Sequence, residues 1–162
     1  MSVNGGCFAP GTKINLPGGV IKNIEEIQVG DSVMTYNMET KTYEPHDVIG
    51  TYVHHHTPRM IMMRFTNGSV ISATPDHPLL CTKGWRSRNV KGSLDNYGVE
   101  VQRLEFNKDI VIGLHDTKAW ITEVDELSIG PDYDSYDIEV DTGDTFIAEG
   151  IVFYNCKREG TQ

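Results

Sequence analysis

Residues 60–74 read MIMMRFTNGSVISAT, and the Asn67-Gly68 pair at their centre decides the fold class. Met60 to Thr66 and Ser69 to Thr74 are rich in strand-forming residues. Asn-Gly between them supplies the positive φ angles of a tight two-residue hairpin turn. Outward from this hairpin the same pattern recurs. Ser32 to Tyr36 alternates with a period of two, and Asp47 to Val53 is dense in β-branched and aromatic side chains. Further strands are expected at Val99–Leu104, Asp109–Ile112, Trp120–Val124 and Tyr136–Val140. A turn follows over Asp141-Thr142-Gly143-Asp144, and Thr145–Tyr154 completes a last hairpin. Helical signals are weak: Ile24 to Ile27 reads as one turn, and Val90 to Asn96 as a loop. Lys83 to Asn96 is the segment expected to be most mobile, having two glycines, few apolar residues and mixed charge. Many short strands with closely spaced turns predict an all-β, single-domain fold.

The chain has 162 residues, 38% of them apolar, enough for one core. Its formal charge of −9, with the basic residues scattered, argues against nucleic-acid binding. No apolar run reaches membrane-spanning length, and no secretory leader is visible. Three cysteines are too few for a disulfide framework. Cys7 and Cys156 stand near the two ends, where a Cys7–Cys156 disulfide is the competing reading, and Cys81 is expected to pack beside Leu79 and Leu80. The triplet His54-His55-His56 does not converge on one ion, because neighbours on a strand face opposite ways. No metal and no cofactor are expected, although zinc could inhibit through a cysteine together with His77. Trp85 and Trp120 are expected as core or loop anchors. The acids around Asp132 and Asp134 read as solvated surface.

Four short sequences carry chemistry. In Gly6-Cys7-Phe8-Ala9-Pro10-Gly11-Thr12, the thiol can attack the preceding carbonyl and form a thioester. Gly5-Gly6 puts few steric limits on bending that peptide bond. In Thr74-Pro75-Asp76-His77-Pro78, a histidine can protonate an amide nitrogen as it leaves, and Thr74 can hold the carbonyl oxygen. In Tyr136-Asp137-Ile138, the carboxylate can accept a thiol proton if its strand lies beside the first. In Tyr154-Asn155-Cys156, the asparagine amide can attack its own carbonyl, and the next thiol can take over an acyl group. Taken singly, each has an ordinary alternative: a buried small thiol, a solvated loop, an exposed acid or a chance pair.

Together they resemble the Hint superfamily of inteins and Hedgehog processing domains, and among its minimal forms the bacterial intein-like domains. Cys7-Phe8-x-x-Gly11-Thr12 with Ile24-x-Glu26-Ile27-x-Val29-Gly30-Asp31 is similar to the opening block. Gly68 to Leu80, with Thr74-x-Asp76-His77, is similar to the second. Tyr136-Asp137-Ile138-x-Val140 through Phe146-x-Ala148-x-Gly150-Ile151-Val152 to Asn155-Cys156 is similar to the closing blocks. The resemblance spans Cys7 to Asn155, loosely over Lys83 to Trp120, and leaves no room for an inserted endonuclease. It implies a horseshoe-like Hint fold with both ends together, a processing domain over 7–155, and flanks at 1–6 and 156–162.

The resemblance also implies an order of events. Cys7 forms the thioester with help from His77 and Thr74; Cys156 accepts the acyl group with help from Asp137; Asn155 then cyclises. Two positions depart from the pattern, since histidines are usual where Tyr154 and Asp144 stand. The asparagine step is therefore expected to be the slow one, with Gly6, Asp76, Asp144 and Tyr154 as modulators. The expected partners are the chain's own flanks, acted on by a monomer in a bacterial setting that keeps its cysteines reduced. The competing functions are a conventional cysteine hydrolase using Cys7 and His77, and a catalytically silent module.

Overall fold

A computed structural model describes residues 7–141 and 143–155. Its strands are β1 (Lys13–Asn15), β2 (Ile21–Asn23), β3 (Ser32–Asn37), β4 (Thr42–His54), β5 (Ile61–Phe65), β6 (Val70–Ala73), β7 (Leu79–Cys81) and β8 (Gly84–Ser87). After the one α-helix among the described residues, α1 (Val90–Tyr97), come β9 (Gln102–Arg103), β10 (Ile110–Ile112), β11 (Lys118–Glu126), β12 (Ser135–Val140), β13 (Thr145–Ala148) and β14 (Ile151–Tyr154). A long sheet runs in the order β2-β1-β13-β14-β7-β10-β11-β5-β6, with β8 and β9 added beside β7; a second sheet has the order β12-β4-β3. The fold is all-β. No helix is long and apolar enough to cross a membrane among the described residues.

The two sheets meet at the start of the described chain. Phe8 makes an antiparallel bridge to Tyr136 on one side and to Ala73 on the other, so one residue joins β12 to β6. Its ring is fully buried and lies edge-on to Phe153 at 4.9 Å and to Phe146 at 5.9 Å. Tilted and edge-on arrangements of this kind suit the ring quadrupoles. Around these rings the core collects Ile14, Ile71, Leu79, Ile138 and Ile151, the inward residues of strands from both sheets.

The central hairpin forms where expected, but its turn is longer. Phe65 N–H donates to Ser69 O at 2.9 Å and Gly68 N–H to Phe65 O at 3.1 Å, enclosing a three-residue loop of Thr66, Asn67 and Gly68. Only Gly68, with φ +92°, is left-handed. A two-residue type I′ turn needs two such residues, so the chain adopts the alternative of a type I turn followed by a left-handed glycine.

Three other expectations are corrected. Val90–Tyr97 is a helix rather than a loop, so Lys83–Asn96 carries β8 and most of α1 instead of irregular chain. The Asn89 side chain caps the helix by accepting Gly92 N–H, and Gly98 ends it in the left-handed region. The strand expected over Val99–Leu104 shrinks to β9, in which both residues are exposed. The closing segment Thr145–Tyr154 is two strands, split by a turn at Glu149 (φ +51°) and Gly150 (φ +75°). Moreover β12 and β13 form no hairpin with each other, since β12 pairs with β4 and β13 with β14 and β1. The segment between them, which contains Thr142 outside the described residues, therefore crosses from one sheet to the other.

Candidate functional site

Phe8 fixes where Cys7 lies. Phe8 N–H donates to Tyr136 O at 2.7 Å and Tyr136 N–H returns to Phe8 O at 2.8 Å. On the opposite side, Cys7 N–H donates to Thr74 Oγ1 at 3.0 Å, and Thr74 N–H donates to Cys7 O at 2.9 Å. Thr74 stands just after β6, and the hairpin delivers it there. Its hydroxyl meets the Cys7 nitrogen, the atom on the leaving side of the upstream peptide bond. Cys7 itself is 1% exposed.

Asp137 follows Tyr136 on β12 and is 1% exposed, so the strand does lie beside the Cys7-Phe8 segment. Its Oδ1 accepts the Ile138 N–H at 2.9 Å. Two residues on, Glu139 shares its face of the strand and is fully buried. Tyr52 donates to Glu139 Oε1 at 3.0 Å, while Oε2 is buried with no hydrogen bond among the described residues. Tyr52 reaches it by lying over Gly50, where a Cβ would collide with the tyrosine ring. Neither Glu139 nor Tyr52 stands out in the sequence reading; the alternation Asp137, Glu139 beside an all-apolar Ile138 and Val140 is the available signal.

His77 sits between the two ends of the domain. Its ring is 4.7 Å from that of Phe8 and 5.4 Å from that of Phe153, and it is 3% exposed. Its Nε2 lies 2.9 Å from Tyr154 O, an acceptor, so that nitrogen carries the proton in this contact. The neighbouring Asp76 is 6% exposed and is held by α1: Asn96 donates to its Oδ2 at 2.7 Å and Ser93 to its backbone oxygen at 2.7 Å. Asp76 Oδ1 is buried with no hydrogen-bond partner among the described residues, and Asp76 borders a cavity of about 330 Å³ that Thr74 also lines.

At the other end, Asn155 is 1% exposed and clamped to β12. Its Oδ1 accepts Val140 N–H at 3.0 Å, and its Nδ2 donates to Val140 O at 3.0 Å and to Gly143 O at 3.3 Å. Its backbone N–H donates to Asp144 O at 2.7 Å, so Asp144 meets it through the main chain. Tyr154 turns the other way, its ring edge-on to Trp85 at 5.3 Å and to Tyr97 at 5.9 Å. Gly6 and Cys156 lie outside the described residues, and with them any Cys7–Cys156 pairing.

The remaining candidates separate from this centre. Cys81 is a free thiol in β7, and burial with the nearby negative charge of Asp109 pushes it up to about 12. A thiol that stays protonated is a poor nucleophile. His55 Nδ1 lies 2.7 Å from Asp134 and His56 Nδ1 lies 3.0 Å from Asp132, so the histidines and acids pair across the surface. Trp85 packs on Tyr154, but Trp120 is exposed on β11 rather than anchored.

Residues 8–116 match the family model described as the Ataxin-1 and HBP1 module (AXH). That span begins just after Cys7 and stops before Asp137 and Asn155. No curated protein matches the sequence. Among solved structures, the bacterial intein-like domain from Clostridium thermocellum is 24% identical with a TM-score of 0.75, covering 92% of this chain and 98% of its own. The gp41-1 intein is 22% identical with a TM-score of 0.68, covering 94% and 100%. A DnaB intein from Synechocystis sp. PCC 6803 is 17% identical with a TM-score of 0.71, again covering 94% and 100%. These likenesses show the fold over more than nine-tenths of the chain.

Proposed function

This chain belongs to the Ataxin-1 and HBP1 module (AXH) family over residues 8–116 and has the fold of bacterial intein-like and mini-intein domains, and on that premise we propose that it processes its own backbone. Of the residues that would do so, Thr74, Asp76 and His77 lie within the AXH match, while Cys7, Asp137 and Asn155 lie outside it. One observation carries the reading: His77 is packed against Phe8, next to Cys7, while its Nε2 contacts the carbonyl just before Asn155. One buried histidine thus touches both ends of a domain spanning residues 7–155, with 1–6 and 156–162 as its flanks.

In the first step the Cys7 sulfur attacks the Gly6 carbonyl carbon. The carbon–nitrogen bond breaks, the Cys7 nitrogen gains a proton and the thiol loses one. Thr74 holds that nitrogen and His77 is the nearby proton carrier, while Asp137, buried on β12, serves the transfer to Cys156 that follows. Transfer of the acyl group from the Cys7 sulfur to the Cys156 sulfur exchanges one thioester for another. In the last step Asn155 Nδ2 attacks its own backbone carbonyl carbon. It loses a proton, the bond to Cys156 breaks, and the released Cys156 amine takes a proton, leaving a succinimide. Asp76, through its tie to α1, and Gly6, through its freedom to bend, modulate the first step; Tyr154 and Asp144, flanking and holding Asn155, modulate the last.

The clamp on Asn155 gives the last step a reason to be slow. Nδ2 must leave Val140 O and Gly143 O before it attacks, and each such hydrogen bond is worth about 1 kcal/mol. A conventional hydrolase is the poorer reading, because Cys7 at 1% exposure offers no surface to a separate substrate. To test the first step, the full chain is incubated with a small thiol and its mass is followed. The wild type is expected to lose residues 1–6, and Cys7→Ala to keep them. Equal loss from both, or from neither, would count against the proposal.

A further inference from the structure

Asn155 is held from two directions, and only one of them is β12. The other is the segment after Val140, which offers Gly143 O to the side-chain amide and Asp144 O to the backbone N–H. The position of that segment therefore sets where Nδ2 stands relative to its own carbonyl carbon. Its backbone is tied to β4 through Asp141 N–H to Asp47 O at 2.9 Å. Just there the pairing of β12 with β4 slips, from Glu139 opposite Gly50 to Val140 opposite Val48. Bulges of this kind re-aim the chain that follows.

A side chain spans the same gap. His46, on β4, lies with Nδ1 3.4 Å from Asp141 Oδ1 and Nε2 3.4 Å from Glu44 Oε2. It is 27% exposed and borders a cavity of about 290 Å³ that Gly143 and Asp144 also line. Glu44 stands beside it on β4, Glu39 and Asp144 are the other charged groups of the cavity wall, and Asp141 is at its Nδ1. Among the described residues of the cavity wall, His46 is the one side chain able to carry positive charge. It is placed to hold an otherwise acidic segment against β4.

We propose that His46 is a positioning residue for the Asn155 step, holding through Asp141 the segment that presents Asn155 to its own carbonyl. This rests on the self-processing reading above. It gives β4, a strand distant from both junctions in sequence, a part in the chemistry at one of them. It also separates the two ends, because His46 pairs with Asp141 and Glu44 while Thr74 bonds the backbone of Cys7. A misplacement on the order of 1 Å can cost about 100-fold in rate, so loss of the tether should be visible.

The test uses the full chain under reducing conditions, with mass spectrometry following release of residues 156–162 and, in parallel, thiol-induced loss of residues 1–6. His46→Ala is expected to slow the downstream release by tenfold or more while leaving the upstream reaction within twofold of wild type. Added imidazole, small enough for the enlarged cavity, is expected to restore part of the downstream rate. His46→Gln, which can still donate to Asp141, is expected to fall between wild type and alanine. An unchanged downstream rate in His46→Ala would overturn the inference, as would equal slowing at both ends or a deficit that imidazole leaves untouched. Those outcomes leave the self-processing reading standing. A wild type that releases nothing at either end would instead overturn that reading, and this inference with it.

Discussion

Asn155→Ala is expected to abolish release of residues 156–162 while leaving thiol-induced loss of residues 1–6 in place. Alanine has no amide to attack the backbone carbonyl, so the step has no slower version to fall back on. The substitution also removes three side-chain hydrogen bonds, to Val140 N–H, Val140 O and Gly143 O. At about 1 kcal/mol each, some loss of stability accompanies the loss of chemistry. The upstream reaction serves as the internal control for folding. Release of residues 156–162 from Asn155→Ala at the wild-type rate would mean that ordinary hydrolysis, not cyclisation, cuts the chain there.

The second large effect is on stability. Phe8→Ala is expected to cost about 3–5 kcal/mol, measured as a shift in the urea midpoint with unchanged slope. Domains of this kind have a total stability of roughly 5–15 kcal/mol, so the variant stands near the edge of folding. The reason is placement as much as size. The Phe8 ring touches His77, Phe146 and Phe153, and its backbone bridges β12 to β6, so the cavity opens where the two sheets meet. A cost below about 1 kcal/mol would show that the rings relax to fill the space. Cys7 would then owe its position to the backbone bridges alone.

The architecture was legible wherever strands alternate between a buried and an open face. Ser32–Asn37 takes the strand its alternation announces, and Asp47–Val53 the strand its composition announces, but β4 starts earlier, at Thr42, and residues 42–47 are the ones that pair with β3. Helix α1 was missed because it lacks an apolar stripe: Ser93 is its one buried residue, and Leu94 points to solvent. What holds it is a cap at each end and two serines, Ser87 and Ser93, bonded to each other at 2.6 Å, signals that carry no period. Val99–Leu104 misled in the opposite sense, being β-branched in composition while only Leu104 is buried. At Glu149-Gly150 the turn was invisible because glutamate seldom takes positive φ. Here Lys13 and Asn15 of β1 bind both turn residues and hold them in place.

The candidate site was legible in its residue types and illegible in its distances. Cys7 and Thr74 are 67 positions apart, and His77 and Tyr154 are 77 apart, so no local spacing brings them together. The order of the motifs named them, through the resemblance to the Hint superfamily. His46 and Glu139 had no motif to name them. Each is an ordinary polar residue on an alternating strand until the β4 bulge and the Tyr52 ring give it a partner.

The central claim is that both ends of one domain react, in a linked order. Its most direct test is the search for a single product in which residues 1–6 are joined to residues 156–162, after incubation of the full chain under reducing conditions. The wild type is predicted to yield that joined peptide or the two separate flanks, and Cys7→Ala only the downstream flank. Joined or upstream product from Cys7→Ala, or an intact wild-type chain after prolonged incubation with thiol, would contradict the account.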